Sequence, residues 1–413
     1  MSMTSGKEKN FDPLAFKSEF PIFERTIRDK PLVYLDSAAS AQKPRAVIDA
    51  VTQAMEHSFA NVHRGLHTMA NETTEAFEGA RAEVARFLNA PSADNIVFTR
   101  GTTEAINLVA SSFGAELEAG DEIILSQMEH HSNIVPWHFL RERQGVVLKW
   151  VPVTEDGRID MDAYAEAFSD RTKLVTMTHM SNVTGTRTDG EKIVSMAHDK
   201  GVPVLLDGSQ SAVHGHVDVQ ALDVDFFAIT GHKIYGPTGI GALYAKSEQL
   251  NRIRPYQGGG EMIAEVFEDR VVYADAPAKF EAGTPPIIDA IGLGAALKWL
   301  DTQDRDGMEA HERALLDKTM TGLAEFEDLR VIGTAQNKAS IITFVMGKAH
   351  AHDAAQLLDR YGVAVRAGHH CAQPLMRRFD ASSSVRASYA AYNTMDDVET
   401  FLDALRSVRG ILM

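Results

Sequence analysis

Cysteine is almost missing from this chain: Cys371 is the only one in 413 residues. That scarcity excludes an intramolecular disulfide and any metal or cluster site built from several thiolates, and it fits a reducing compartment such as the cytosol. Long apolar runs are missing too. No stretch approaches the ~18 consecutive apolar residues of a membrane helix, and the opening MSMTSGKEKN is too polar for a secretory leader. Positive charge is short as well: 41 Lys and Arg face 57 Asp and Glu, a net −16. That sign argues against a sequence-independent nucleic-acid binder, although a local basic pocket for an anionic cofactor remains open. Nucleotide fingerprints are absent. There is no Walker A string, and the glycine-rich Gly236-Pro237-Thr238-Gly239-Ile240-Gly241 carries a proline between two strand-like runs.

What is present reads as globular, at 44% hydrophobic and 24% charged residues, with a length that favours one large and one smaller domain. Between residues 95 and 245, short apolar runs alternate with amphipathic stretches: 95–98, 122–125, 173–176, 203–206 and 225–229. Such alternation predicts an α/β domain with a mostly parallel sheet, whose strands are buried on both faces. Residues 255–285 break the pattern with Gly258-Gly259-Gly260 and a hairpin-like Val271-Val272-Tyr273, before a helix expected to start near Ile288. Beyond it, a strand at 340–345 and helices at 352–361 and 396–408 predict a smaller α+β unit.

Open α/β sheets bind ligands beyond the carboxyl ends of their strands. Here those positions are polar. Gly101-Thr102-Thr103-Glu104 opens a helix, either as an ordinary N-cap or as a phosphate cradle. The other strand-like runs lead into Glu129-His130-His131, His179-Met180-Ser181-Asn182, Asp207-Gly208-Ser209-Gln210 and Thr230-Gly231-His232-Lys233. A lysine, a carboxylate, a flat imidazole and phosphate donors at one crevice are what pyridoxal phosphate requires. A metal site on His130, His131 and Asp207 is the rival; it leaves Lys233 and the Gly-Thr-Thr turn without roles. Cys371 sits in Arg366-Ala367-Gly368-His369-His370-Cys371-Ala372. A single cysteine is more often an inert buried residue than a nucleophile, but these small, cationic, turn-forming neighbours describe an exposed thiol on a loop.

Across nearly the whole chain these strings, with Tyr34-Leu35-Asp36-Ser37-Ala38-Ala39-Ser40, Asn61-Val62-His63-Arg64-Gly65-Leu66-His67 and Ser384-Val385-Arg386-Ala387-Ser388, resemble the Suf-type cysteine desulfurases. These are the second group of the NifS-related, fold-type-I pyridoxal-phosphate enzymes. The resemblance implies a large domain at 31–288 with a mostly parallel seven-stranded sheet, a small α+β domain at 289–413 carrying the catalytic cysteine, and an N-terminal segment, 1–30, that joins the small one. It implies that Lys233 bonds the cofactor, that Asp207 partners the ring nitrogen, that Gln210 donates to the ring hydroxyl and that His130 lies on the ring. Thr102, Thr103, Thr230 and His232 match phosphate-binding positions, Asn182 lies against the cofactor, and Thr284 matches a hydroxyl that reaches the phosphate of a neighbouring subunit. Arg386, assisted by Asn182, matches the clamp on the substrate carboxylate; Ala38, Arg64 and Arg366 are expected at the substrate pocket.

The implied reaction converts L-cysteine to L-alanine and leaves a persulfide on Cys371, with His130 handling a proton and Arg366, His369 and His370 favouring the thiolate. No second thiol in the chain can resolve that persulfide. The sulfur is therefore expected to pass to an acceptor, SufE-like or SufU-like, for iron–sulfur cluster assembly by a cytoplasmic homodimer. Selenocysteine lyase is the alternative within the same chemistry, and a catalytically silent scaffold of a cluster-assembly complex the alternative outside it. No metal, nucleic-acid or membrane partner is expected.

Overall fold

The computed structural model describes residues 11–412; the first ten residues of the expected N-terminal segment, including the polar opening, lie outside them. Seven strands form one sheet: β1 (Ile96–Thr99), β2 (Glu122–Ser126), β3 (Val147–Val151), β4 (Thr172–Thr178), β5 (Val204–Asp207), β6 (Phe226–Thr230) and β7 (Gly241–Ala245). Their order is β1-β7-β6-β5-β4-β2-β3. Only β7 runs against its neighbours; the other pairings are parallel. The α/β class with a mostly parallel seven-stranded sheet is thus present.

Helices cover both faces, because alternate strand residues point to opposite sides and both sets are apolar. They are α1 (Thr68–Phe87), α2 (Thr102–Ser112), α3 (Val135–Gln144), α4 (Gly190–His198) and α5 (Ile287–Asp301). Ile123, Leu125, Leu205 and Leu243 pack with Ile106 and Val109 of α2 and Trp137 of α3. Ile124, Val175, Leu206 and Phe227 pack on the other side with Phe77 of α1, Ile193 of α4 and Leu297 of α5. Beyond α5 come α6 (Arg305–Leu323), α7 (Ala351–Asp359) and α8 (Met395–Leu412). They cover an antiparallel sheet of β8 (Leu329–Ile332), β9 (Ile341–Met346), β10 (Arg366–Gly368) and β11 (Ser384–Ser388), ordered β8-β9-β11-β10. Leu315, Phe344, Leu358 and Phe401 form its core.

Within the seven-stranded sheet β3 escaped the sequence pattern: it is an edge strand, mostly exposed or half-buried, with Lys149 interrupting its apolar residues. The division expected at 288/289 falls inside α5. That helix packs on α1 and on the Arg45–Gln53 helix. The N-terminal segment touches both parts: Phe16 packs on Tyr235 and Trp299, and Lys17 pairs with Asp397 at 3.0 Å. Val33–Tyr34 add a parallel pairing to Val363–Ala364. Among the described residues no helix is long and apolar enough to cross a membrane.

Candidate functional site

The carboxyl ends of β1, β2, β4, β5 and β6 open on one cavity of about 1120 Å³, closed from the other side by the β10–β11 end of the small sheet. Parallel strands put these ends on the same edge, and the antiparallel β7 starts there: Gly241 pairs with both Thr99 and Thr230. A Cβ on Gly241 would stand 2.5 Å from Gly101 Cα, so only glycine lets the Gly101 turn close over the sheet. Gly101 itself has φ +146°, a conformation that side chains disfavour, and it opens α2 with Thr102 and Thr103 in its first turn. The result is a turn of free N–H groups and hydroxyls at a helix N-terminus, suited to an anion.

Asp207 ends β5 buried. Its Oδ1 accepts from the Ser209 N–H at 2.9 Å and from Ser209 Oγ at 2.6 Å. Ser209 Oγ also lies 2.8 Å from Thr102 Oγ1, which ties the carboxylate to the anion turn. Lys233 closes the 3-10 turn after β6 and lines the same cavity. Burial pulls its ammonium down to about 8, opposed by the negative charge of Asp207, so a neutral amine becomes the main form only at mildly alkaline pH. His130 accepts the Ser132 N–H on Nδ1 at 3.1 Å, which assigns the proton of the neutral ring to Nε2. Burial, then the nearby Lys233 charge, holds His130 down at about 4. Burial does the same to His232, whose carbonyl accepts from Ala41 N, Ser40 Oγ and Lys43 Nζ.

Across the cavity, Arg386 is 2% exposed. Its Nη1 donates to the Asn182 carbonyl at 2.8 Å, its Nη2 reaches Asp36, and its Nε has no partner among the described residues. Cys371 is free and exposed. Both His370 and Cys371 sit at positive φ, +51° and +54°, a strained tip that three contacts hold: His131 N–H to the Cys371 carbonyl at 2.6 Å, Gln373 N–H to His131 Nε2 at 3.2 Å, and Asn182 Nδ2 to the His370 carbonyl at 2.7 Å. Among the described residues no three His, Cys, Asp or Glu side chains are grouped to hold a metal ion.

Of the residues singled out from sequence, all but Arg64 and Thr284 line this cavity. Arg64 does not line this cavity of its own chain: its side chain is 63% exposed and lies 3.4 Å from Glu261. Thr284 is exposed too. Gln210 spends one amide N–H on the Ala38 carbonyl, 2.8 Å away, leaving one for an occupant. The thiolate expectation also narrows. His370 is buried, bonded to Ser384 Oγ and held down at about 2 by that burial and by Arg386; it is neutral and supplies no charge. Arg366 shares its charge with Asp36. Sequence reasoning gave no role to Asp36, Ser209 or Glu129, each quoted within a motif; no spacing signals that Asp36 meets an arginine 330 residues away.

The comparisons with known proteins agree with this geometry. The Aminotransferase class-V family model matches residues 33–401. A cysteine desulfurase of Synechococcus elongatus is 47% identical over 97% of the chain, which spans 64% of that protein's length. One from Dickeya dadantii is 47% identical over 96% of each chain. The crystal structure of the cysteine desulfurase CsdA (S-sulfonic acid) from Escherichia coli superposes with a TM-score of 0.91 at 42% identity, covering 98% of this chain and 100% of that one.

Proposed function

The chain belongs to the aminotransferase class-V family, and from that membership we propose that it is a pyridoxal-phosphate-dependent cysteine desulfurase of the Suf type. The residues present fit the cofactor. A lysine whose ammonium is weakened by burial, a buried carboxylate with one oxygen already oriented, a glycine-only anion turn and an arginine with an unsatisfied Nε share one cavity. Lys233 would bond the cofactor, Asp207 its ring nitrogen, Gln210 its ring hydroxyl, and Thr102, Thr103, Thr230 and His232 its phosphate. When bound, the cofactor supplies an electron sink that acidifies the substrate Cα–H and opens the side-chain sulfur to attack.

The chain's own residues do the rest. Arg386 holds the α-carboxylate of L-cysteine through paired N–H donors. The Lys233 amine takes and returns the Cα proton. Asp207 would face the ring nitrogen of the bound cofactor and hold a proton there, and the Nε2 edge of His130 serves a proton at the substrate sulfur or amine. The Cys371 thiolate attacks that sulfur. An S–S bond forms as the C–S bond breaks, and the released electron pair stays on the substrate Cβ, where protonation gives L-alanine. The sum is L-cysteine plus protein thiol giving L-alanine plus protein persulfide.

The observation that carries the reading is the placement of an exposed thiol, on a tip held by His131 and Asn182, at the mouth of the cavity that contains Lys233 and Asp207. The persulfide then leaves to a SufE-like or SufU-like acceptor in the cytoplasm, for cluster assembly. A homodimer is supported by exposed Leu66, Val266, Val271 and Tyr273 and by the loops they adjoin. There Arg64 meets Glu261, and Gly283 N–H bonds Gly260 O at 2.9 Å beside Thr284. The test is alanine formation from L-cysteine together with detection of protein-bound persulfide. Lys233→Ala should lose both and Cys371→Ala should form no persulfide; alanine at the wild-type rate from Cys371→Ala would refute the assignment.

A further inference from the structure

His232 and Lys233 end the 3-10 turn after β6, and three donors converge on the carbonyl of His232. They are the Ala41 N–H at 3.1 Å, Ser40 Oγ at 3.2 Å and Lys43 Nζ at 2.9 Å. All belong to the segment that borders the cavity at Ala38 and Ala39. That segment is itself anchored on both sides: the Ala38 carbonyl accepts from Gln210 at 2.8 Å, and the Ala38 N–H donates to Ser388 Oγ of β11 at 2.9 Å. Lys43 is its costly member. It is half-buried and lies outside the cavity lining. Burial pulls its ammonium down to about 8, with no carboxylate charge to oppose the fall, and Nζ is spent on two carbonyls, those of His232 and of Ala41 at 2.5 Å.

Withdrawing an ammonium from water without a carboxylate to meet it costs stability. Satisfying the His232 carbonyl does not require that cost, because two other donors already serve its two lone pairs. What the ammonium adds is a charge-assisted bond, shorter and stronger than a neutral one. The carbonyl it grips shares a rigid peptide plane with the N and Cα of Lys233, so the orientation of that plane sets the direction in which the Lys233 side chain leaves the backbone. We propose that Lys43 is a positioning residue for Lys233: by gripping the His232 carbonyl it fixes the peptide plane from which Lys233 extends and keeps the amine aimed into the cavity. This rests on the reading that Lys233 bonds the cofactor.

The test is the rate at which the full-length protein, stripped of cofactor, gains visible absorbance on mixing with pyridoxal phosphate and, separately, with pyridoxal, which lacks the phosphate. Lys43→Met should slow both by about tenfold, because a misdirected Lys233 amine meets either aldehyde badly. A merely structural role would lower the melting temperature or the fraction of protein that responds and leave the rate constant of the responding fraction alone, so rates within about threefold of wild type overturn the proposal. Slowing confined to pyridoxal phosphate overturns it too, since Lys43 would then act through the His232 ring, which its charge helps to keep neutral. Should Lys43→Met fail to fold, Lys43→Gln, which loses the charge and keeps an N–H donor, carries the same expectation and the same refutation. No visible absorbance from the wild type, or absorbance that survives Lys233→Ala, would instead refute the underlying reading of Lys233.

Discussion

Glu129 sits beside the site with no access to solvent. Its Oε1 accepts from Ser126 Oγ at 2.5 Å and its Oε2 from Asn133 Nδ2 at 2.6 Å. Burial outweighs these bonds and, with the negative Asp207 nearby, pushes the carboxyl up from 4.5 to about 8. The folded chain then keeps a proton that the unfolded chain has released. This acid's contribution is fully present below pH 4.5 and is lost as pH rises towards 8, at about 1.4 kcal/mol per pH unit. Glu129→Gln mimics the protonated form: its oxygen accepts from Asn133 and its N–H group donates to Ser126. Between pH 5.5 and 7.5 the wild type should lose about 2 to 3 kcal/mol relative to this variant. For 413 residues the unfolding entropy is about 0.9 kcal/mol per kelvin, so the Tm advantage of the variant should widen by about 3 °C over that range. Paired melts of the two proteins in matched buffers read this directly. A gap that stays constant, or closes as pH rises, would mean that Ser126 and Asn133 hold an ionised Glu129 and that the burial argument fails.

Other perturbations test other parts. Because Lys233 must be neutral to bond the cofactor and its ammonium is held at about 8, uptake of pyridoxal phosphate by apoprotein should rise through pH 7–9 and level off above; a rise continuing to pH 10 would show an ordinary lysine. Arg386→Ala should lower kcat/KM for L-cysteine by about a hundredfold or more, and Arg386→Lys should restore only part of it, since an ammonium cannot reproduce the planar fork. A fall below threefold would remove Arg386 from substrate binding. Arg81, 3% exposed, is held by Glu281 at 2.6 and 2.9 Å. Glu281→Ala leaves that buried charge with Glu78 alone, 2.8 Å from its Nε, and should cost about 3 kcal/mol, a Tm lower by about 3 °C; a drop under 1 °C would contradict the pairing.

The site was legible where chemistry is local. Strand ends advertise themselves as an apolar run followed by polar residues, so Thr102, His130, Asn182, Asp207 and Lys233 could be expected at one edge before any coordinates. The edge strand β3 could not, because an edge strand needs no apolar run. Protonation was not legible either. His370 reads as a cation beside Cys371, yet burial against Arg386 makes it neutral.

By itself the sequence determined the α/β alternation and the solitude of Cys371 among these 413 residues; composition and period-two or helical patterning suffice for these. Only the tertiary structure decided which charges meet. The grip of Asp36 on Arg366 and Arg386, the seating of the Cys371 tip on His131 and Asn182, and the exposure of Arg64 and Thr284 depend on contacts between residues far apart in the chain. Such contacts are set by how sheets and helices pack, and no local spacing encodes them.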